Sequence, residues 1–248
     1  MAIKKVNYKN TCFDISYDLV NVDKEKVLVF LHGWGSNKEI MKQAFKDDFK
    51  DYKHFYIDMP GFGNSLNNEI LTTKDYANII TEFLKPSTIH HPPTTIHQQP
   101  LTIIGHSFGG KVATLLNPKN LVLLSSAGIL EPKPLKVKLK IKLAKILGTL
   151  GLRNITKAFR SSDVEQMSGN MYETFKNVVD EDFTEYFKNY NGNCIIFWGR
   201  TDRATSLDSG KKIHGLIKSS EFFDFEGDHY FFLKHHNKIG EICGDRFI

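Results

Sequence analysis

Cysteine is scarce and scattered. The 248-residue sequence has three, Cys12, Cys194 and Cys243, and an odd, widely spaced set supplies neither a disulfide framework nor the paired spacing of a zinc site. Long apolar runs are missing as well. No stretch of about 18 or more apolar residues occurs, so hydropathy gives no membrane-spanning helix. The opening residues, Met1-Ala2-Ile3-Lys4-Lys5-Val6-Asn7-Tyr8, lack the apolar core of a signal peptide. A strong charge imbalance is absent too: 33 Lys and Arg against 28 Asp and Glu leave a net charge of +5, which does not call for nucleic acid as a partner. These absences predict a soluble cytoplasmic protein with incidental thiols, bound to neither membrane nor nucleic acid.

What is present is a chain long enough for one α/β domain with an elaboration, and one stretch organises it. Leu101 to Ile104 is a short apolar run, long enough for a buried parallel strand, and a helix-compatible segment begins two or three residues later. Between them lies Gly105-His106-Ser107-Phe108-Gly109, a G-x-S-x-G pattern. A chain that turns from strand to helix in so few residues strains the apex and pushes its side chain outward. Ser107 is therefore the candidate nucleophile, and the Phe108 N–H at the helix start a candidate oxyanion donor. The pattern arises by chance in roughly one chain in ten of this length, so its context has to decide.

That context is a series of strands ending in polar or glycine-rich turns. Residues 1 to 20 alternate as an antiparallel ribbon would. Lys26 to Leu31 is a buried run that stops at His32-Gly33-Trp34-Gly35-Ser36-Asn37, where the Trp34 N–H is the candidate second oxyanion donor. A helix is expected over 38–49. A third strand over 54–58 runs into Met59-Pro60-Gly61-Phe62-Gly63, with Asp58 assigned to bracing that turn or the neighbouring loop and, as an acid on the same edge, a rival to Asp202 for the triad carboxylate. Residues 73–84 carry helical spacing, with Thr72 or Thr73 as N-cap and Asp75 in the first turn. The Pro-, Thr- and His-rich segment 86–100 has no period and reads as a surface loop. Its histidines have no nearby carboxylate or cysteine to complete a metal site.

After the elbow helix, ended by Asn117-Pro118, residues 121–128 read as a strand. The βαβαβ alternation implies a mostly parallel sheet wrapped by helices. Residues 129–193 change character: from 131 to 160 there are nine Lys or Arg and one acid, Glu131. Residues 135–143 alternate as a strand would, but Leu135, Leu139, Leu143 and Ile146 also share a helical face, and lysine and leucine favour a helix. A helix is expected there, another over 172–190, and together a helical cap inserted between core segments 1–128 and 194–248.

The sheet pattern returns at 193–199 and leads to Asp202; a helix over 211–217 and a strand over 221–225 follow, and then the Glu226-Gly227-Asp228-His229 loop. Asp202 and His229 thus both fall just past strands, on the rim expected for Ser107. Among competing histidines, His106 adjoins the nucleophile and should point away from it, His214 lies within a helix, and His235 and His236 follow in the C-terminal helix. Asp228 is too close to His229 in sequence to reach the far side of its ring, so Asp202 is the better orienting acid.

With HGWGSN at 32–37, DMPGFGNS at 58–65, GHSFGG at 105–110, WGRTD at 198–202 and GDH at 227–229, the sequence resembles the α/β-hydrolase superfamily over nearly its whole length. The resemblance implies an α/β-hydrolase fold with a helical cap. It implies Ser107 as nucleophile, His229 as base, Asp202 as orienting acid, and the Trp34 and Phe108 N–H groups as oxyanion hole, with no metal or organic cofactor. It is similar in particular to small carboxylesterases, including those that demethylate a pimeloyl methyl ester on acyl carrier protein, an acidic partner suited to a lysine-rich cap. A second group with this architecture cleaves carbon–carbon bonds of ring-fission dienoates, and a third possibility is a non-catalytic binding protein on the same fold.

Overall fold

The computed structural model describes residues 1–85, 101–131 and 167–247. The loop expected over 86–100, the helix expected from Leu135 and most of the basic run lie outside the described residues. Eight strands form one sheet: β1 (Ala2–Tyr8), β2 (Thr11–Val20), β3 (Lys26–Leu31), β4 (Tyr52–Ile57), β5 (Thr102–His106), β6 (Asn120–Leu124), β7 (Asn193–Gly199) and β8 (Ser220–Phe225). Their order is β1-β2-β4-β3-β5-β6-β7-β8. The β1–β2 and β2–β4 pairs are antiparallel and every later pair is parallel.

Strand periodicity sorts the core into two layers. Val29, Leu31, Ile103, Leu121, Leu123 and Ile196 face one side; Leu28, Phe30, Ile104, Val122, Leu124 and Ile195 face the other, because alternate side chains leave opposite faces of a strand. Helices α2 (Thr73–Leu84), α3 (Phe108–Leu116) and α6 (Leu207–Leu216) contribute to the first layer, α1 (Lys38–Phe45) and α7 (Phe232–Phe247) to the second. Covered on both faces, the central strands can be apolar throughout.

Local chemistry sets the helix ends. Asn37 caps α1 by accepting from Glu39 N, and Ser206 caps α6 through Ser209 N. Thr72 is the N-cap of α2 and forms a reciprocal capping box with Asp75, an arrangement worth about 1 kcal/mol. Some boundaries differ from the sequence expectation. Helix α1 ends at Phe45, four residues early, and Phe49 takes a positive φ of 46°. The strand expected to reach Gly128 stops at Leu124, because Ser125 turns to φ 42°. The helix expected over 172–190 is two, α4 (Gly169–Val179) and α5 (Thr184–Lys188). No helix among the described residues is long and apolar enough to cross a membrane.

The direction of strand addition reverses beside β3: β4 lies on one side and β5 on the other. Such a switch point leaves a crevice at the carboxyl ends of the two strands. The 32–37 loop leaves β3 there, and Ser107 leaves β5.

Candidate active site

Ser107 stands between β5 and α3 with φ 51° and ψ −115°, a conformation that costs a non-glycine residue on the order of 1–3 kcal/mol. The surroundings enforce it. A Cβ at Gly109 would lie 2.5 Å from Leu31 O and 2.6 Å from His32 O, so only glycine lets α3 approach β3 this closely. Ser107 N donates to Leu124 O at 3.0 Å, and Ser107 O accepts from Gly110 N and Ala127 N at 3.0 and 3.1 Å. A serine opening a helix ordinarily caps it with its hydroxyl. Here it makes no such bond, which leaves the hydroxyl free for chemistry.

His229 and Asp202 are joined. His229 Nδ1–H donates to Asp202 Oδ2 at 2.7 Å, with the Asp202 side chain fully buried. The other carboxylate oxygen accepts from Ala204 N at 2.8 Å and Thr205 N at 3.0 Å, and the Thr205 hydroxyl lies 3.0 Å from Oδ2. Burial alone would raise this carboxyl. Hydrogen bonds from His229, Thr205 N–H and Ser125 outweigh it and hold the group down at about 2, so it is an anion at neutral pH. With its Nδ1 proton committed to Asp202, neutral His229 keeps a lone pair on Nε2.

The structure brings Ser107 and His229 to one rim without a hydrogen bond between them. Their loops meet through His106, whose Nε2 lies 3.0 Å from His229 O and whose ring centroid is 4.6 Å from that of His229. A Ser–His bond that tightens only with substrate present is common chemistry for such sites.

The two N–H groups expected to meet an oxyanion, Trp34 N and Phe108 N, donate to no acceptor among the described residues. They also sit close to the nucleophile: a Cβ on Gly33, next to Trp34, would be 3.1 Å from Ser107 Cβ. The Trp34 ring packs against Phe62, Phe108 and Phe175 with centroids 4.9, 5.5 and 5.4 Å away, giving the crevice an aromatic wall that includes α4. A cleft of about 540 Å³ lies between the segment after β6, the end of α4 and the Asp202 loop, bounded by Ala127, Gly128, Glu131, Val179, Ala204 and Thr205 among others.

Several supporting residues escaped the sequence reading. His32 donates from Nδ1 to Gly33 O at 2.8 Å and accepts Met59 N at Nε2, 3.0 Å away, tying the 32–37 loop to the 58–65 turn. Burial holds its imidazole down at about 4. Asp58 braces that turn as expected, receiving Asn64 N at 3.0 Å. It also binds Lys38 N at 2.8 Å and forms a 2.8 Å ion pair with the buried Lys38 Nζ. On the nucleophile helix, Lys111 is buried and reaches Val178 O at 2.5 Å and Glu181 at 3.1 Å, pinning the end of α4. Glu131 accepts Ser206 N at 2.8 Å and the Ser209 hydroxyl at 2.5 Å, an acid at a helix N-terminus where the helix dipole favours it. The one local clue to these pairs was a charge inside an apolar context, as at Lys111.

Residues 28–205 match the alpha/beta hydrolase family. Two curated relatives, both provisionally named esterase/lipase 2, are similar in part. One, from Mycoplasma pneumoniae, is 30% identical over 97 residues, 38% of this chain and 33% of that protein. The other, from Mycoplasma genitalium, is 27% identical over 149 residues, 59% of this chain and 52% of that protein. The chain thus spans about half or less of the length of these relatives. Among solved structures, an esterase from Exiguobacterium antarcticum superposes with a TM-score of 0.71 at 20% identity, covering 97% of each chain; at that identity the likeness speaks for the fold.

Proposed function

Because the chain belongs to the alpha/beta hydrolase family, with Asp202 bonded to His229 on the rim that carries a strained, uncapped Ser107, we propose that it is a serine esterase acting through an acyl-enzyme. His229 Nε2 takes the proton as Ser107 Oγ attacks the ester carbonyl. The carbonyl oxygen becomes an oxyanion that the N–H groups of Trp34 and Phe108 stabilise, and Asp202 stabilises the imidazolium. His229 then protonates the departing alcohol as the carbon–oxygen bond breaks. Water, deprotonated by the same histidine, attacks the acyl-enzyme and releases the acid and Ser107. The observation that carries this reading is the 2.7 Å Asp202–His229 bond, which fixes the tautomer in which Nε2 is a base.

The experiment is hydrolysis of short p-nitrophenyl esters by wild type and Ser107→Ala. The serine reading expects turnover that the substitution removes; equal turnover by both would end it.

The finer form of the proposal is a methyl ester of an acyl chain on acyl carrier protein. It is supported by the HGWGSN and GHSFGG motifs and by the nine basic residues between 131 and 160, a run fit to meet an acidic carrier. A carrier-bound methyl ester, a free ester and a ring-fission dienoate, assayed side by side, separate this from simple ester hydrolysis and from carbon–carbon cleavage. Carrier binding should weaken with salt and with charge reversal at Lys138, Lys140 and Lys142; a flat response removes the carrier from the proposal.

A further inference from the structure

His106 is buried at the end of β5, covalently next to Ser107, and takes no part in the proton transfers proposed above. Its partner is a carbonyl oxygen, His229 O at 3.0 Å. A carbonyl only accepts, so Nε2 carries the proton and Nδ1 is a bare lone pair. That Nδ1 is buried with no hydrogen-bond partner, an omission that costs about 1–3 kcal/mol. A phenylalanine or leucine would fill much of this space with no such cost. What histidine adds is one donor, aimed at the backbone of the proposed base.

The neighbouring turn shows why that donor matters. Gly227 O is held by Thr201 N at 3.0 Å, and Asp228 O by Phe231 N at 3.1 Å. His229 O receives no backbone N–H among the described residues, so His106 is its donor. The turn also wraps the His106 ring, with Tyr230 and Phe232 centroids 5.3 and 4.9 Å away. On its other side, a Cβ on Gly33 would come within 3.0 Å of His106 Nδ1. One buried ring thus abuts the loops that carry the base and an oxyanion donor while bonded to the nucleophile itself. Burial keeps it neutral, at about 3, so it adds no charge beside the imidazolium that forms on His229.

We infer that His106 is the positioning residue that sets the His229 backbone, and so its imidazole, at working distance from Ser107. This rests on the serine-esterase reading. Losing the donor frees the turn by a fraction of an ångström to an ångström, a misplacement that costs up to about 100-fold in rate.

The test compares His106→Leu, His106→Gln and His106→Asn on a p-nitrophenyl ester, with thermal unfolding of each. A glutamine amide reaches the place of Nε2 and an asparagine amide does not. The expected result is a kcat loss of about 10- to 100-fold for Leu and Asn, at temperatures well below unfolding and with KM changed less than about twofold. Gln should restore most of the rate. If Leu fails to fold, the Gln and Asn pair decides. Wild-type kcat in Leu or Asn, or equal losses in Gln and Asn, overturns the positioning role alone, provided Ser107→Ala is inactive. If Ser107→Ala retains wild-type turnover, the esterase reading has failed and the positioning role falls with it.

Discussion

Replacing Asp202 by asparagine should remove the proposed ester hydrolysis without unfolding the chain, and the hydrogen-bond geometry says how. The contacts that matter are donors or can be: Ala204 N and Thr205 N on Oδ1, His229 Nδ1 and the Thr205 hydroxyl at Oδ2. An asparagine amide placed at Oδ1 would set its NH₂ against two backbone N–H groups and leave them unpaired, at about 1–3 kcal/mol each. Turned the other way, its oxygen keeps both backbone bonds and its NH₂ faces Thr205 and His229. The Thr205 hydroxyl can accept there by pointing its own proton at Ser125 O, 3.1 Å away. His229 can accept only by giving up its Nδ1 proton and carrying it on Nε2, so it can no longer take the proton of Ser107. The expected loss in kcat is on the order of 10³- to 10⁴-fold, with KM and thermal midpoint little changed. Steady-state hydrolysis of a p-nitrophenyl ester between pH 6 and 9, paired with thermal unfolding, reads both quantities. A loss under about tenfold in a folded variant would refute the tautomer argument.

Acid should destabilise the fold through its buried histidines. His32 and His106 are held at about 4 and about 3 in the native state, from an ordinary 6.5. The unfolded chain therefore binds protons that the native chain refuses, and stability is full above pH 6.5 and falls as pH drops below it. The two together give about 3 kcal/mol between pH 6.5 and 5; a urea midpoint that stays level across that interval contradicts it. Lys38→Met leaves the buried Asp58 carboxylate without its cation and should cost about 3–5 kcal/mol. The double variant Lys38→Met/Asp58→Asn should recover part of that in denaturant titrations, and a single-variant loss under about 1 kcal/mol would show the pair to be immaterial. Gly109→Ala should abolish both folding yield and ester turnover, because its methyl meets the carbonyls of Leu31 and His32; a soluble, active variant would mean that the elbow has room to spare.

Legibility of the site divides along the range of the interactions. The Ser107 elbow, the 32–37 turn and the loops of Asp202 and His229 could be placed from sequence because each depends on a few consecutive residues: an apolar run, then glycine or a polar turn. The pairings that hold the site could not. His106 to His229, Lys38 to Asp58 and Lys111 to Val178 join positions 123, 20 and 67 apart, and nothing local in a sequence says which distant partner a buried polar group will meet. The same limit moved the boundary at Ser125, where a positive φ ends a strand that propensity would have continued, and that of α1, which stops at Phe45 before the turn that carries Phe49.

By itself, then, the sequence determined the α/β alternation, the sheet's buried strands and the chain order of Ser107, Asp202 and His229 on loops that follow strands, since these follow from short-range sterics and the period of apolar residues. Only the tertiary structure decided that β3 and β5 lie side by side, that Trp34 N and Phe108 N meet no acceptor among the described residues, and that His106 Nε2 reaches the carbonyl of His229. Those outcomes come from the packing of a whole sheet, in which a hydrogen bond forms wherever burial leaves a donor and an acceptor no other partner.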